Sequence, residues 1–187
     1  MDVVLSTERL ILRRFTPDDV DLLVELDSDP EVMRFLTNGK PTPYATVRDE
    51  LLPKIIEEYS TQPRHGMWAT VDKAGHFLGW HSLALPANGD DTQAELGYRL
   101  RRAAWGHGYA TEGAKALIAD AFTTRGLRRV FAETMAVNTG SRRVMAKAGL
   151  RHVRTFHVEF DDPIPGTEHG EVEYAITREE WAELSRT

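Results

Sequence analysis

Glu95-Leu96-Gly97-Tyr98-Arg99-Leu100, then Trp105-Gly106-His107-Gly108-Tyr109-Ala110-Thr111, then Asn138-Thr139-Gly140-Ser141: these three segments, in this order, decide how the chain reads. The first alternates like a strand and the second is a glycine turn. After it Ala110, Ala114, Leu117, Ile118, Ala121 and Phe122 recur at helical spacing up to a stop near Gly126. Residues 129–136 read as the next strand, and residues 141–148 as a short helix closed by Gly149. A strand that feeds a glycine turn and a helix start makes an anion site. The first helical amides have no acceptor one turn back, and the helix dipole presents its positive end there.

Upstream, residues 7–15 carry apolar side chains on both alternating faces and read as a buried first strand. Thr16 caps the helix that follows, with Pro17 at its first position and Asp19 where a capping-box acid belongs. A short helix is expected at residues 31–35. Tyr44, Val47, Leu51, Leu52, Ile55, Ile56 and Tyr59 then recur at helical spacing, with Pro53 kinking or restarting that helix. Residues 67–71 and 77–85 form a hairpin around Asp72-Lys73-Ala74-Gly75. Downstream, residues 151–160 and 171–176 are two final strands around a loop, and Thr177-Arg178-Glu179-Glu180 opens a last helix as a capping box. The order predicts an α/β (α+β) chain: one mixed sheet with helices on its faces, as a single domain over residues 1–187.

A formal charge of −6 speaks against a general nucleic-acid binder, but it conceals an asymmetry. Residues 99–154 hold ten arginines and two lysines against Glu112, Asp120 and Glu133, a net +9, which leaves −15 for the rest. A basic middle suits a phosphate-rich ligand, and acidic flanks suit a cationic substrate such as an amine. Solvated helix and strand faces are the alternative for any one arginine. With no cysteine there is no thiol nucleophile, disulfide or cysteine metal site, and residues 1–14 show no secretory pattern, so a cytoplasmic address is expected. No apolar run approaches the ~20 residues that cross a bilayer, so no membrane partner is expected. The seven histidines make no metal pattern.

Gly106-His107-Gly108 admits two readings. A dinucleotide fold wants G-x-G-x-x-G at a strand end and an acid some twenty residues on, a part Glu133 would play. However, Thr111 stands at the third glycine position and repeated βαβ units are missing upstream, so an NAD(P)-binding protein is the remote alternative. The other reading uses the whole stretch. Glu95-Leu96-Gly97-Tyr98, Trp105 to Glu112, and Asn138, Ser141, Arg143, Lys147, Gly149 and Leu150 at their spacing resemble the GNAT N-acetyltransferase superfamily. Thr7-Glu8-Arg9-Leu10-Ile11-Leu12-Arg13 is similar to the start of its RimJ/RimL-like branch, whose members acetylate ribosomal-protein N-termini and many unrelated amines.

The resemblance implies a mostly antiparallel sheet of about seven strands whose two central strands splay apart, with the pantetheine arm of acetyl-CoA between them. It implies that the amides of His107, Gly108, Tyr109, Ala110 and Thr111 hold the pyrophosphate, and that Asn138 bonds the cofactor arm. Ser141 is either a cofactor contact or a helix cap, and Arg143 either reaches a phosphate or is solvated. Trp105 stands where the family has Gln or Arg, which removes a side-chain contact and leaves the amides. The acceptor is an amine, of a small molecule or a protein N-terminus, and must be deprotonated before it attacks. Glu95 matches the family's strand carboxylate and is the expected base; a solvent-facing charge is its other reading. The family's proton-donating Tyr, seven residues after the Asn, is Met145 here, which leaves water, Tyr109 or His81 as candidates. Met145 and Trp105 also motivate an alternative: a GNAT-fold module that binds CoA without catalysis. No metal is expected, and a homodimer is possible.

Overall fold

A computed structural model describes residues 1–186. Its strands and helices are β1 (Val3–Ser6), β2 (Leu10–Arg13), α1 (Val20–Ser28), α2 (Arg34–Thr37), α3 (Tyr44–Thr46), α4 (Leu52–Thr61), β3 (Gly66–Asp72), β4 (Phe77–Ala84), β5 (Gln93–Leu100), α5 (Tyr109–Thr123), β6 (Arg129–Met135), α6 (Thr139–Lys147), β7 (Arg151–Phe156), β8 (Glu171–Thr177) and α7 (Arg178–Leu184). The strands form one sheet in the order β1-β2-β3-β4-β5-β6-β8-β7. Every neighbouring pair is antiparallel except β5 with β6, which are parallel and so need the crossover that α5 supplies.

Strand alternation sorts the side chains onto two cores. Leu10, Leu12, Trp68, Leu83, Ala94, Leu96, Val130 and Ala132 face α5 and α6, meeting Ala114, Leu117, Ile118 and Met145. The opposite face carries Ala69, Val71 and Phe77, packed against Leu23 and Leu26 of α1 and Leu52 and Ile55 of α4. Each of the larger aliphatic and aromatic side chains among these contributes about 1.5–3 kcal/mol on burial, enough to fix which face of the sheet each helix covers.

Several boundaries differ from the sequence reading. The sheet has eight strands, because residues 3–6 form an edge strand before the expected first one. Thr7 to Arg9 are the turn between them: the Thr7 amide donates to the Leu10 carbonyl (2.9 Å) and the Leu10 amide to the Thr7 hydroxyl (2.9 Å). As expected from Pro53, the helical run does not continue unchanged: α4 restarts at Leu52, with Pro53 in its first turn. One π turn, Val47–Leu51, joins α3 to α4 just before it. Strand β7 ends at Phe156, short of residue 160, because its partner β8 begins at Glu171. No helix is long and apolar enough to cross a membrane among the described residues.

The feature that matters most for function lies at the sheet centre. Strands β5 and β6 pair only through Gln93 with Arg129, Ala94 with Val130 and Glu95 with Phe131. Beyond that point β5 continues its ladder with β4 alone, and β6 with β8 alone. The two strands therefore diverge, and each leaves an unpaired backbone edge facing the gap.

Candidate active site at the splayed strands

The glycine turn and helix start lie after the diverging end of β5. Gly106 and Gly108 sit at φ 76° and φ 80°, left-handed values that side chains with a Cβ rarely adopt. Gly108 is the N-cap of α5, and the Glu112 amide is the first to find its helical acceptor, the Gly108 carbonyl (2.9 Å). The amides of Tyr109, Ala110 and Thr111 thus begin a helix with no intrahelical acceptor. A Cβ built on Gly106 meets nothing within 4 Å, and one on Gly108 meets only the Arg9 guanidinium at 3.5 Å. The turn is an open, amide-lined cradle of the kind a diphosphate fits. His107 is exposed, its ring 5.7 Å from that of Tyr109, and Trp105 ties the turn to β5 through its indole N–H to the Leu100 carbonyl (2.8 Å).

Under this helix start lies His81, fully buried on β4. Its Nε2 faces the Ala110 carbonyl (3.2 Å), which can only accept, so Nε2 carries the proton and Nδ1 accepts from the Thr70 hydroxyl (2.7 Å). Desolvation lowers its pKa to about 4 against a weaker opposing pull from that carbonyl, so the ring is neutral. Gly113 makes room for it, since a Cβ there would lie 2.4 Å from Nε2.

Across the gap, α6 opens at Asn138, and here one expectation is corrected. The cap is Asn138 rather than Ser141: its Oδ1 accepts the Ser141 amide (3.2 Å), while its Nδ2 donates to the Thr134 hydroxyl (3.1 Å). Ser141 is left with its hydroxyl 2.9 Å from the Tyr98 hydroxyl, which also donates to the Ser141 carbonyl (3.1 Å). Tyr98 belongs to β5, so this bond spans the gap. Burial pushes the phenol up to about 12 despite the Ser141 contact, and it remains protonated. Arg143 is exposed on α6. Met145 is 1% exposed and belongs to the core under α5, which explains why an apolar side chain stands there.

On the opposite face of the sheet the gap is lined by acids. Ala94 and Leu96 point toward α5, so Glu95 points toward the α1 and α4 side. Parallel register puts Phe131 on the same face, Glu133 follows two residues on, and β8 places Glu173 opposite Glu133 and Glu171 opposite Met135. Burial first, and Glu133 second, raise the Glu95 pKa above the ordinary carboxylate value. Burial likewise raises Glu171 and Glu133, the latter also through Glu173 and against the pull of Arg154 and Arg129. Glu173 is the exception. Desolvation opposes its charge, but Arg129 and Arg154 (Nε to Oε2, 2.6 Å) together hold it ionised.

The basic middle of the chain is largely absorbed by such pairs. Arg99 meets Asp27 (2.6 Å), Arg101 meets Glu25 and Arg102 meets Asp29 (3.2 Å), so three arginines at and after the end of β5 clamp α1 and its C-terminal end. The count of +9 therefore overstates the charge available to a ligand. Asp161 and Asp162 lie exposed in the loop before β8. Sequence reasoning missed the clamp and the Tyr98 to Ser141 bond, because each joins residues distant in the chain. Among the described residues no cluster of His, Asp and Glu is placed to hold a metal.

This arrangement, a splayed parallel pair beside a glycine-rich helix start, agrees with comparison to known proteins. The family model for the acetyltransferase (GNAT) domain matches residues 9–151. The chain belongs to the GNAT acetyltransferase family. Members of this family use acetyl-CoA. An Aspergillus fumigatus protein named FsC-acetyl coenzyme A-N(2)-transacetylase is 38% identical over 97% of this chain and 79% of its own length. An N-acetyltransferase of Bacillus licheniformis, p20, is 31% identical over 73% of this chain and 76% of its own. Among solved structures, a GNAT acetyltransferase from Bacillus anthracis superposes with a TM-score of 0.76 at 25% identity, covering 96% of this chain and 99% of its own. RimL, the ribosomal L7/L12 α-N-protein acetyltransferase solved with coenzyme A, has the same fold: TM-score 0.79, 17% identity, 94% of this chain and 98% of its own.

Proposed function

We propose that this GNAT protein transfers the acetyl group of acetyl-CoA directly to a primary amine, with a small-molecule amine as the acceptor and Glu95 as the base. The observation that carries the proposal is the position of Glu95: it occupies the last pair before β5 and β6 part, and burial and Glu133 raise its pKa. A carboxylate there takes the proton from an incoming ammonium, the neutral amine attacks the thioester carbonyl, and the C–S bond breaks as the CoA thiolate leaves and takes up the proton shed by the acylated nitrogen. Amides of His107, Gly108, Tyr109, Ala110 and Thr111 hold the pyrophosphate, and the edge near Asn138, Ser141 and Arg143 receives the rest of the coenzyme. Glu133 and Glu171 beside Glu95 favour a cationic acceptor such as a small amine, and the relative named as an N(2)-transacetylase supports transfer to nitrogen.

The test is a screen of small amines and N-terminal peptides with acetyl-CoA, read by thiol release and product mass. Acetylation of a small amine is expected. Turnover confined to peptides would move the acceptor to a protein. A second reading, a CoA-binding module without catalysis, draws on Met145, whose thioether has no proton to donate and whose side chain is buried in the core. It wins if CoA binds and no amine in the panel yields product.

A further inference from the structure

The strongest unassigned contact in the molecule joins its N-terminal turn to the glycine turn. Arg9 donates from Nη1 to the His107 carbonyl (2.9 Å) and grips Glu112 Oε2 through Nε (2.7 Å) and Nη2 (2.6 Å). Glu112 Oε1 accepts from the Arg9 amide (2.9 Å) and from the Thr7 hydroxyl (2.6 Å). The guanidinium also lies 4.7 Å over the Tyr109 ring. We infer that Arg9 is a positioning residue of the coenzyme site, aiming the Gly108 amide at the diphosphate and cancelling the Glu112 charge beside it. This rests on the acetyl-CoA reading of the turn.

Two physical arguments support it. In a planar trans peptide the carbonyl of one residue and the N–H of the next point in opposite directions, and there is no cis bond among the described residues. Holding the His107 carbonyl toward Arg9 therefore turns the Gly108 N–H away from Arg9, toward the open side of the turn. Without that anchor two glycines at positive φ leave the peptide plane free to flip. The second argument is charge. Glu112 lies in the first turn of α5, where an anion is to bind. Burial opposes its ionisation, but the hydrogen bonds from Thr7, the Arg9 amide and the Arg9 guanidinium outweigh it and keep it ionised. A bare carboxylate would repel a diphosphate, and the guanidinium, with two donors on Oε2, neutralises it on the spot.

The experiment compares wild type, Arg9→Met and Arg9→Lys in titrations with CoA and with pantetheine, which lacks the diphosphate, following the Gly108 amide resonance by NMR. For Arg9→Met the CoA Kd is expected to rise about tenfold or more, as for loss of a charge-assisted hydrogen bond, with the pantetheine Kd unchanged. The CoA-induced shift of the Gly108 amide should shrink in parallel. Arg9→Lys keeps the charge but lacks the fork, should fall between, and carries the comparison if Arg9→Met does not fold. An unchanged CoA Kd, or equal weakening toward both ligands, overturns the inference. Failure of wild type to bind CoA would overturn the coenzyme reading and this inference with it.

Discussion

At Glu95 two influences act in one direction, burial and the neighbouring Glu133, and both disfavour the charged form. A base of raised pKa takes a proton from an ammonium more readily. Glu95→Gln should therefore lower kcat/KM by about 10²-fold or more and abolish the acid limb of the pH profile, measured by thiol release. The same shift has a consequence for stability. Because the folded pKa lies above the unfolded one, the contribution of Glu95 is fully present at acid pH and is lost as pH rises through the folded value. Glu95→Gln is expected to melt above wild type at neutral pH, with the difference closing on acidification; equal melting temperatures throughout would contradict the raised pKa. That Glu95 sits on a strand was legible from its neighbours. Its exposure to Glu133 was not, since Glu133, two residues beyond the last β5–β6 pair, comes beside it only once the sheet has formed.

The elements are joined by polar fasteners as well as by packing. His81 binds the start of α5 to β3 and β4, and its depressed pKa, about 4 against an ordinary 6.5, sets the sign of its linkage. Its stabilising effect is complete above the unfolded value and is lost as pH falls toward the folded one. Its ring resonances should stay at neutral positions on titration from about pH 7 to pH 5, where an exposed histidine would move. Asp27 plays the matching part for α1. Its carboxylate, 3% exposed, receives Arg99 of β5 and the Thr42 hydroxyl (2.6 Å). Asp27→Ala leaves a guanidinium at 20% exposure without its counter-ion and should cost about 3 kcal/mol in urea unfolding. A loss near zero would mean that Arg99 finds water instead. The sequence predicted these elements by period and by caps, Thr177 and Glu180 among them, but not these fasteners.

For the whole molecule, the acids brought together on one sheet face set the field that an acceptor meets. Glu95, Glu133 and Glu171 share the sheet face opposite α5, while Arg129 pairs with Glu173 and Arg154 with both Glu173 and, at 3.7 Å, Glu133. A cationic acceptor should be drawn to that face, and its KM should rise with ionic strength as the Debye length falls below ~10 Å. A KM independent of salt in steady-state assays would assign acceptor binding to short-range contacts alone.

The linear order of residues determined the class of fold, the positions of most strands and helices, and the glycine turn before α5. Those depend on periods of 2 and 3.6 and on glycines at positive φ, all written within a few residues of one another. It also carried the resemblance that led to the family. What only the tertiary structure decided was every relation across distance: the eighth strand, the gap that opens after Glu95 and Phe131, Asn138 as the cap in place of Ser141, and the grip of Arg9 on Glu112 and His107. The physical reason is that a hydrogen bond or ion pair depends on ångström distances between side chains. The chain brings residues 9 and 112 together only after the sheet has formed.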